Sequence, residues 1–336
     1  MTALAGKRQV TRWLYNPEMR YRRLGDTSLR VSVLALGCGN FGGVGSIPEL
    51  FGRGDDRDTA FTLMDTAREQ GITLFDTADA YGGGTSERWV GEWLASRRAR
   101  DDVVLTTKVR NRVGPRPCDE GLSARHIREQ IDASLRRLGT DRADLYLAHA
   151  PDPQVSIDET LGAFDELIRA GKVRYAGLSN YAGADLQAAV GAAARGGSTV
   201  ANLQSGYSLL DRAAARDFQL CAEHGIGFTA HSPLAGGWLT GKYRAGQPLP
   251  PGSRMALRPE PYQRWRNDTT YGVIGALDRA ARDRGLSLPA LALAWVLTDP
   301  AVAATVIGPR RPEHVEQAVA ALDVTLTTEE RAAIVH

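Results

Sequence analysis

The sequence predicts an α/β fold, a closed (β/α)8 or TIM barrel with an N-terminal β-hairpin. Short apolar runs alternate with segments of helical period along most of the 336 residues, and eight such runs follow the hairpin. Strands separated by helices indicate parallel βαβ units, and eight of these units close into a barrel. The segment 236–271, rich in Pro, Gly and Arg, is predicted to be a long loop after the seventh strand.

The hairpin is predicted around Gly25-Asp26, where Tyr21–Ser32 alternates in polarity. The eight barrel strands are predicted in chain order at Val31–Leu36, Leu74–Asp76, Val103–Lys108, Leu145–His149, Val173–Leu178, Val200–Gln204, Gly227–His231 and Ala304–Ile307. Helices are predicted between them, and the clearest runs from a Ser123 cap to a Gly139 stop. We expect residues 1–20 to form an N-terminal extension and residues 21–336 a single domain.

The composition excludes several classes of function. Lys and Arg number 41 and Asp and Glu 39, and this near balance argues against nucleic acid or a membrane surface as partner. The longest apolar stretch, Leu288–Leu297, is too short to span a bilayer, and the N-terminus has no apolar signal segment. Three scattered cysteines show neither a disulfide framework nor a metal-ligand spacing, so we expect no metal and a cytoplasmic location.

A G-x-G-x-x-G pattern at Gly37, Gly39 and Gly42 follows the first predicted strand and matches a Rossmann dinucleotide fingerprint. A Rossmann loop opens directly into a helix, whereas here Gly42 is followed by G-V-G-S-I-P. The acidic residue expected about 20 positions later is also absent. We therefore interpret the pattern as a barrel loop whose glycines let the backbone pass close to a cofactor.

Four proton-carrying side chains follow consecutive predicted strands: Asp76 and Tyr81 after the second, Lys108 at the end of the third and His149 at the end of the fourth. A single such residue is most often a rim charge, a core hydrogen bond or a turn cap. Four of them meet at the C-terminal face of a barrel, where active sites lie. The nearby Asp79 lies in a turn and receives no predicted role.

These four groups suit carbonyl reduction. Hydride addition leaves negative charge on the carbonyl oxygen, and a positioned acid must protonate it. A tyrosine has an ordinary pKa near 10, which a neighbouring ammonium lowers. We expect Lys108 to lower the pKa of Tyr81, Asp76 to hold Lys108, and His149 to donate a hydrogen bond to the substrate oxygen.

The motifs F-D-T-A-D-A-Y-G, T-T-K and H-A-P-D-P resemble those of the aldo-keto reductase family, and the likeness runs from Tyr21 to about Leu326. The resemblance implies that Tyr81 is the general acid and that Lys108, Asp76 and His149 assist it. It also implies an active NADPH-dependent reductase of aldehydes or ketones. An alternative implied by the same family is a nucleotide-binding subunit of potassium channels.

The resemblance further implies cofactor contacts. Gly39, Asn40 and Phe41 would face the nicotinamide end. Ser179, Asn180 and Gln204 would bind the carboxamide, and the ring of Tyr207 would stack on the nicotinamide. The remaining expected contacts are with the phosphates and the adenosine: Ser232, Pro233, Leu234, Ala235, Gly236, Lys242, Gly308, Arg310, His314 and Gln317. The pair Arg310-Arg311 favours NADP(H) over NAD(H), although Ile307-Gly308, His314 and Ala318 depart from common family residues.

The substrate is less defined by the sequence. Ala150, a small residue after His149, favours a bulky or sugar-like carbonyl compound. A Schiff-base aldolase that uses Lys108 as nucleophile is a second enzymatic alternative. A short-chain dehydrogenase is excluded, because none of the ten tyrosines has a lysine four residues later. The oligomeric state and the direction of the physiological reaction stay open.

Overall fold

Eight parallel strands form a closed barrel in the computed structural model, which describes residues 18–334. The barrel confirms the predicted fold class. Its strands are β3 (Leu34–Gly37), β4 (Leu74–Asp76), β5 (Val104–Val109), β6 (Ala143–Ala148), β7 (Val173–Ser179), β8 (Asn202–Gly206), β9 (Gly227–His231) and β10 (Val302–Ile307). The strand β10 closes the barrel by pairing with β3, where Ile307 lies opposite Leu36.

Helices surround this barrel, and most of them follow the predicted alternation. They are α1 (Arg57–Glu69), α2 (Thr85–Arg97), α3 (Ala124–Leu138), α4 (Ile157–Arg169), α5 (Ala184–Gly196), α6 (Phe218–Glu223), α7 (Arg254–Leu257), α8 (Asp268–Arg282), α9 (Leu288–Leu297), α10 (Pro312–Ala320) and α11 (Thr328–Ile334). The predicted caps of α3 are confirmed: the Ser123 hydroxyl accepts from the His126 amide, and Gly139 ends the helix with φ 60°.

The hairpin consists of β1 (Tyr21–Arg23) and β2 (Arg30–Ser32), which pair antiparallel as predicted. Its buried Leu24, Leu29 and Val31 pack in one cluster with the apolar side chains of the barrel lumen. Because these residues cover the N-terminal end of the barrel, the C-terminal end is left to carry polar groups.

One strand prediction needs correction. The apolar run Val31–Leu36 is divided between β2 of the hairpin and β3 of the barrel. The break falls at Val33, whose amide donates to the Arg20 carbonyl while its own carbonyl accepts from the amide of Thr305. An apolar run gives no sign of this change of partner, because both halves are buried.

The predicted loop after the seventh barrel strand is present between β9 and α8. It contains a 3-10 segment at Ala235–Thr240 and the short helix α7, and its last predicted residues already belong to α8, which begins at Asp268. The domain boundary predicted near residue 21 stays a prediction, since residues 1–17 lie outside the described part of the chain. Within residues 18–334, none of the helices is long and apolar enough to cross a membrane.

Two helical glycines provide a matched test of the packing between helices. A methyl group added at Gly91 in α2 would lie 2.6 Å from the carbonyl oxygen of Arg137, whereas one added at Gly162 in α4 meets nothing within 4 Å. We expect Gly91→Ala to lower the free energy of unfolding by about 1–3 kcal/mol. Gly162→Ala should raise it by about 1 kcal/mol, because alanine favours helix. Urea unfolding measures both, and equal effects would contradict the described contact between α2 and α3.

Candidate active site

A buried ion pair joins β5 to β4 at the C-terminal end of the barrel. The ammonium nitrogen of Lys108 lies 2.5 Å from Asp76 Oδ1, and the two side chains are 1% and 5% exposed. The same ammonium donates to the Thr77 carbonyl at 3.0 Å, and Gln204 Nε2 donates to Asp76 Oδ2 at 2.7 Å. Burial alone would lower the pKa of Lys108, but the Asp76 carboxylate raises it above its usual value, so the amine stays charged.

Tyr81 lies directly beside this pair. Its hydroxyl oxygen is 3.4 Å from Lys108 Nζ, which donates to it. A methyl group at Gly39 would already be 3.6 Å from the Tyr81 ring, so the glycine loop lies against one side of the ring. Burial raises the pKa of Tyr81 and outweighs the lowering by Lys108. The predicted net lowering of this pKa is therefore wrong, and the phenol keeps its proton near neutral pH.

His149 follows β6 and faces Tyr81. Its Nε2 is 3.4 Å from the Tyr81 hydroxyl, and its Nδ1 is 3.2 Å from the amide nitrogen of Asn111. Burial, and then the charge of Lys108, holds the pKa of His149 well below its usual value, so the ring is neutral. Because the Asn111 amide donates to Nδ1, the ring carries its proton on Nε2.

The Tyr81 oxygen consequently has two donors close to it, the Lys108 ammonium and the His149 Nε2–H. Neither of those two groups accepts the Tyr81 proton, so the hydroxyl hydrogen is free to point towards the open end of the barrel. Four side chains from three stretches of the chain, at positions 76, 81, 108 and 149, thus form one connected hydrogen-bonded group.

The predicted carboxamide contacts lie next to this group. Asn180 adopts φ 61° and donates through Nδ2 to the His149 carbonyl at 2.8 Å and to the Ser179 hydroxyl at 3.1 Å. Gln204 uses its amide nitrogen on Asp76, which directs its carbonyl oxygen away from that carboxylate. The ring of His231, at the end of β9, bonds Asn180 Oδ1 through Nε2 at 2.9 Å.

The loop after β9 turns sharply. Ser232 and Ala235 have φ of 56° and 49°, which is uncommon for residues with a side chain. Pro233 and Leu234 lie between them and Gly236 follows. The Ala235 amide donates to the Ser232 carbonyl and the Gly237 amide to the Leu234 carbonyl, so the segment is a tight turn. Turns that contain left-handed residues form concave anion sites. Further along, the exposed Lys242 forms no ion pair with an acid of the described residues.

The segment after β10 also collects donors. Asp55 accepts from Arg310 Nε at 2.6 Å, which holds this guanidinium against the first loop. The Arg310 amide donates to His314 Nδ1, so His314 Nε2 carries the ring proton, and the guanidinium of Arg311 lies 3.2 Å from that nitrogen. The Arg311 guanidinium and the His314 Nε2–H are both donors, and an oxyanion beside them accepts hydrogen bonds from both. Gly308 and Gln317 are exposed beside it, at the start and on the surface of this segment.

Comparison with known proteins agrees with this geometry. A sequence profile of the Aldo/keto reductase family matches residues 33–336. The chain belongs to the aldo-keto reductase family. It is 37% identical over 323 residues to the uncharacterized oxidoreductase YrpG of Bacillus subtilis, an alignment that covers 93% of both chains.

Two other relatives of this aldo-keto reductase carry more specific names. A probable voltage-gated potassium channel subunit beta of Arabidopsis thaliana is 33% identical over 314 residues, which is 91% of this chain and 92% of the relative. The L-glyceraldehyde 3-phosphate reductase of Escherichia coli K12 is 31% identical over 338 residues, covering 96% and 94%. The matches establish the family and a general link to carbonyl reduction.

Tyr207 does not reach the site of this reductase. Its hydroxyl donates to Asp299 at 2.8 Å, and its ring packs against Phe218, Phe228 and Trp295 in the core between barrel and helices. The predicted stacking role is thus corrected. The reason is the alternation of side chains along β8: Gln204 points into the barrel, so a residue three positions later points outwards.

The predicted role of Phe41 also needs correction. It is 1% exposed and belongs to the apolar cluster beneath α1 and α2, so it does not face the nicotinamide end. Its neighbour Asn40 is nearer to the mouth, since its Oδ1 accepts from Arg254 at 2.6 Å. Of the three residues expected from the glycine loop, Gly39 lies against the Tyr81 ring, Asn40 contacts Arg254, and Phe41 packs in the core behind them.

Sequence reasoning missed three groups of this aldo-keto reductase site, namely Asn111, His231 and Asp55. His231 ends a predicted strand, the same signal that identified His149, and could have been found. Asn111 and Asp55 lie in loops, where no periodicity predicts which way a side chain points. No group of three or more possible metal ligands occurs among residues 18–334.

The neutral His231 predicts a dependence of stability on pH. Burial, and then the charge of Lys108, lowers its pKa to about 4. The unfolded chain takes up a proton here near pH 6.5 and the folded chain does so only near pH 4, so stability falls as the pH drops between them. Part of the ring faces solvent, and we expect a loss of about 2 kcal/mol.

Urea unfolding at about pH 7 and about pH 4 checks this expectation. His231→Gln should lose about 2 kcal/mol less than the wild type over this interval. The exposed His224→Gln is the control and should follow the wild type. Identical pH responses of the wild type and His231→Gln would contradict the lowered pKa of His231.

Proposed function

We propose that this chain reduces an aldehyde or ketone to an alcohol with NADPH, with Tyr81 as the general acid. The observation that carries the proposal is the Tyr81 hydroxyl, held between the Lys108 ammonium and the His149 ring. Both neighbours are donors, so the phenolic proton is directed to whatever oxygen enters the mouth. The E. coli relative is named as a reductase of an aldehyde, which supports the same class of reaction.

Bound nicotinamide would supply a hydride to the carbonyl carbon. Tyr81 transfers its proton to the carbonyl oxygen, and the resulting phenolate is stabilised by the Lys108 ammonium. His149 donates from Nε2 to the same substrate oxygen and fixes its position. The alcohol thereby gains one hydride on carbon and one proton on oxygen, and solvent reprotonates Tyr81 before the next turnover.

The described residues fit a nicotinamide cofactor at this face. Ser179, Asn180 and the Gln204 carbonyl oxygen offer donors and acceptors to the carboxamide. His231 takes the place expected for Tyr207, because its ring lies at the mouth beside Asn180 and 3.4 Å from a methyl group built on Gly206. The loop from Ser232 to Gly236 and the unpaired Lys242 suit the pyrophosphate.

The donors after β10 favour NADPH over NADH. Asp55 holds Arg310 through Nε, which leaves the terminal nitrogens of its guanidinium for a 2′-phosphate. His314 and Arg311 converge beside it, and the start of α10 adds backbone amides. Gly308 and Gln317 are exposed on the same segment, and we propose that they contact the adenosine.

An aldolase that uses Lys108 as nucleophile is disfavoured, because the Lys108 amine is a charged partner of Asp76 and a Schiff base requires the neutral amine.

The likeness to the Arabidopsis protein supports a second candidate, a nucleotide-binding regulatory subunit of potassium channels. The complete group of Asp76, Tyr81, Lys108 and His149 favours the enzyme.

Replacing Tyr81 by phenylalanine removes the hydroxyl group that carries the transferred proton and keeps the aromatic ring. We expect Tyr81→Phe to lower kcat for aldehyde reduction by about 100-fold or more, while NADPH binds as before. NADPH absorbance and fluorescence titration measure the two properties. Tyr175→Phe, at the opposite end of the barrel beside Ser28, is the matched control and should keep wild-type kcat.

The same assays separate the two candidates. Wild-type turnover that survives in Tyr81→Phe would refute the assignment of the acid. Tight binding of NADPH by a wild type that turns over no aldehyde, ketone or keto-sugar would instead favour the regulatory subunit.

Choice of cofactor is tested at Arg310. Arg310→Ala should raise the Kd for NADPH about tenfold or more, because a charged hydrogen bond to the 2′-phosphate is lost. NADH has no such phosphate, so its Kd should change about twofold at most. An equal effect on both cofactors would place Arg310 at the pyrophosphate or in loop stability instead.

A further inference from the structure

Arg110 lies at the mouth of the barrel without an assigned task. It comes directly after β5 and two positions after Lys108, so it stands at the C-terminal end of the barrel. Its φ of 136° is strained for a residue with a side chain, and its buried Nε has no hydrogen-bond partner in the described structure. A buried donor without an acceptor costs free energy, which a bound acceptor would recover.

Arg258 reaches the same mouth from the loop after β9. It caps the C-terminal end of α7, four residues after Arg254, and one terminal nitrogen lies 3.4 Å from a methyl group built on Gly45. The Gly45 carbonyl accepts from the amide of Gly82, the residue next to Tyr81. The Arg258 guanidinium thus covers the loop that adjoins the reacting hydroxyl.

Both guanidinium groups act on the catalytic histidine. Burial is the largest cause of the low pKa of His149, and the charges of Lys108, His231, Arg110 and Arg258 lower it further, in that order. Arg110 follows the end of β5 close to Lys108, and Arg258 covers the loop beside Tyr81. The two arginines therefore reach the mouth of the barrel from two different loops.

Two acids near the mouth already have basic partners. Asp76 binds Lys108 and Asp55 binds Arg310, while neither Arg110 nor Arg258 has an ion pair with any acid between residues 18 and 334. The carboxylate of Asp152, near Arg110, accepts from the amides of Leu122 and Gln154 instead.

The charge of Arg258 also acts on Arg254, whose pKa is lowered first by burial and further by Arg258. Such concentrated positive charge is costly to a fold unless an anion is bound there.

We propose that the substrate of this reductase is a carbonyl compound that carries an oxyanion, a carboxylate or a phosphate, bound by Arg110 and Arg258. The inference rests on the proposed function, since it concerns the substrate of that same site. The carbonyl oxygen meets Tyr81 and His149, and the anionic end of the same molecule lies between the two guanidinium groups. Guanidinium matches both oxyanions through paired hydrogen bonds.

Pairs of substrates that differ in charge test the proposal: 4-carboxybenzaldehyde against 4-nitrobenzaldehyde, and glyceraldehyde 3-phosphate against glyceraldehyde. We expect kcat/KM to be about tenfold or more higher for at least one anionic member than for its neutral partner. Arg258→Gln and Arg110→Gln should each raise KM for that anion by about tenfold, with the neutral aldehyde changed about twofold at most. The pair of substrates that shows this effect distinguishes a carboxylate site from a phosphate site.

The exposed Arg266→Gln in the same loop is the control for net charge, and it should behave as the wild type. Equal losses on charged and neutral aldehydes, or a raised Kd for NADPH in Arg258→Gln, would overturn the inference. Reduction of the neutral aldehydes with no preference for anions would refute the anion site and leave the proposed function intact. Absence of turnover with all four aldehydes would count against the proposed function itself.

Discussion

Lys108 keeps its positive charge inside the barrel because Asp76 lies 2.5 Å from its ammonium nitrogen. Burying two charges is costly, and the cost is offset here by further hydrogen bonds from Lys108 to Thr77 and from Gln204 to Asp76. Removal of one partner would leave the other as an unpaired buried charge, at a cost of about 3–5 kcal/mol. The orientation of Tyr81, and with it the proposed chemistry, depends on this pair.

The fold provides the place for such a pair. The hairpin covers one end of the barrel with apolar side chains, and the polar residues of β4, β5 and β8 lie towards the other end. The glycine loop after β3 lets the backbone lie against Tyr81, where Gly39 leaves room for the ring. Its G-x-G-x-x-G pattern thus belongs to a barrel strand end and not to a Rossmann unit.

Barrel and catalytic group were predictable because each rests on a local signal. The strands were marked by apolar runs, and the four catalytic candidates by polar residues at the ends of those runs. Tyr207 and Phe41 were misplaced where alternation along a strand, or packing beneath a loop, decides the direction of a side chain.

The contacts of Asn111 with His149 and of Asp55 with Arg310 join loops that are distant in the chain, so the sequence did not predict them. The same limit applies to the pKa of Tyr81: the sequence predicts the neighbouring ammonium but not the burial that outweighs it.

A double-mutant cycle between Asp76 and Tyr81 tests most directly whether the ion pair acts through the phenol. Asp76→Asn removes the charge and keeps the shape, and kcat/KM for an aldehyde is measured in the wild-type and Tyr81→Phe backgrounds. The account predicts a loss of about 100-fold in the wild type and of about threefold or less in Tyr81→Phe. An equal loss in both backgrounds would contradict it, because Asp76 would then act independently of the proposed acid.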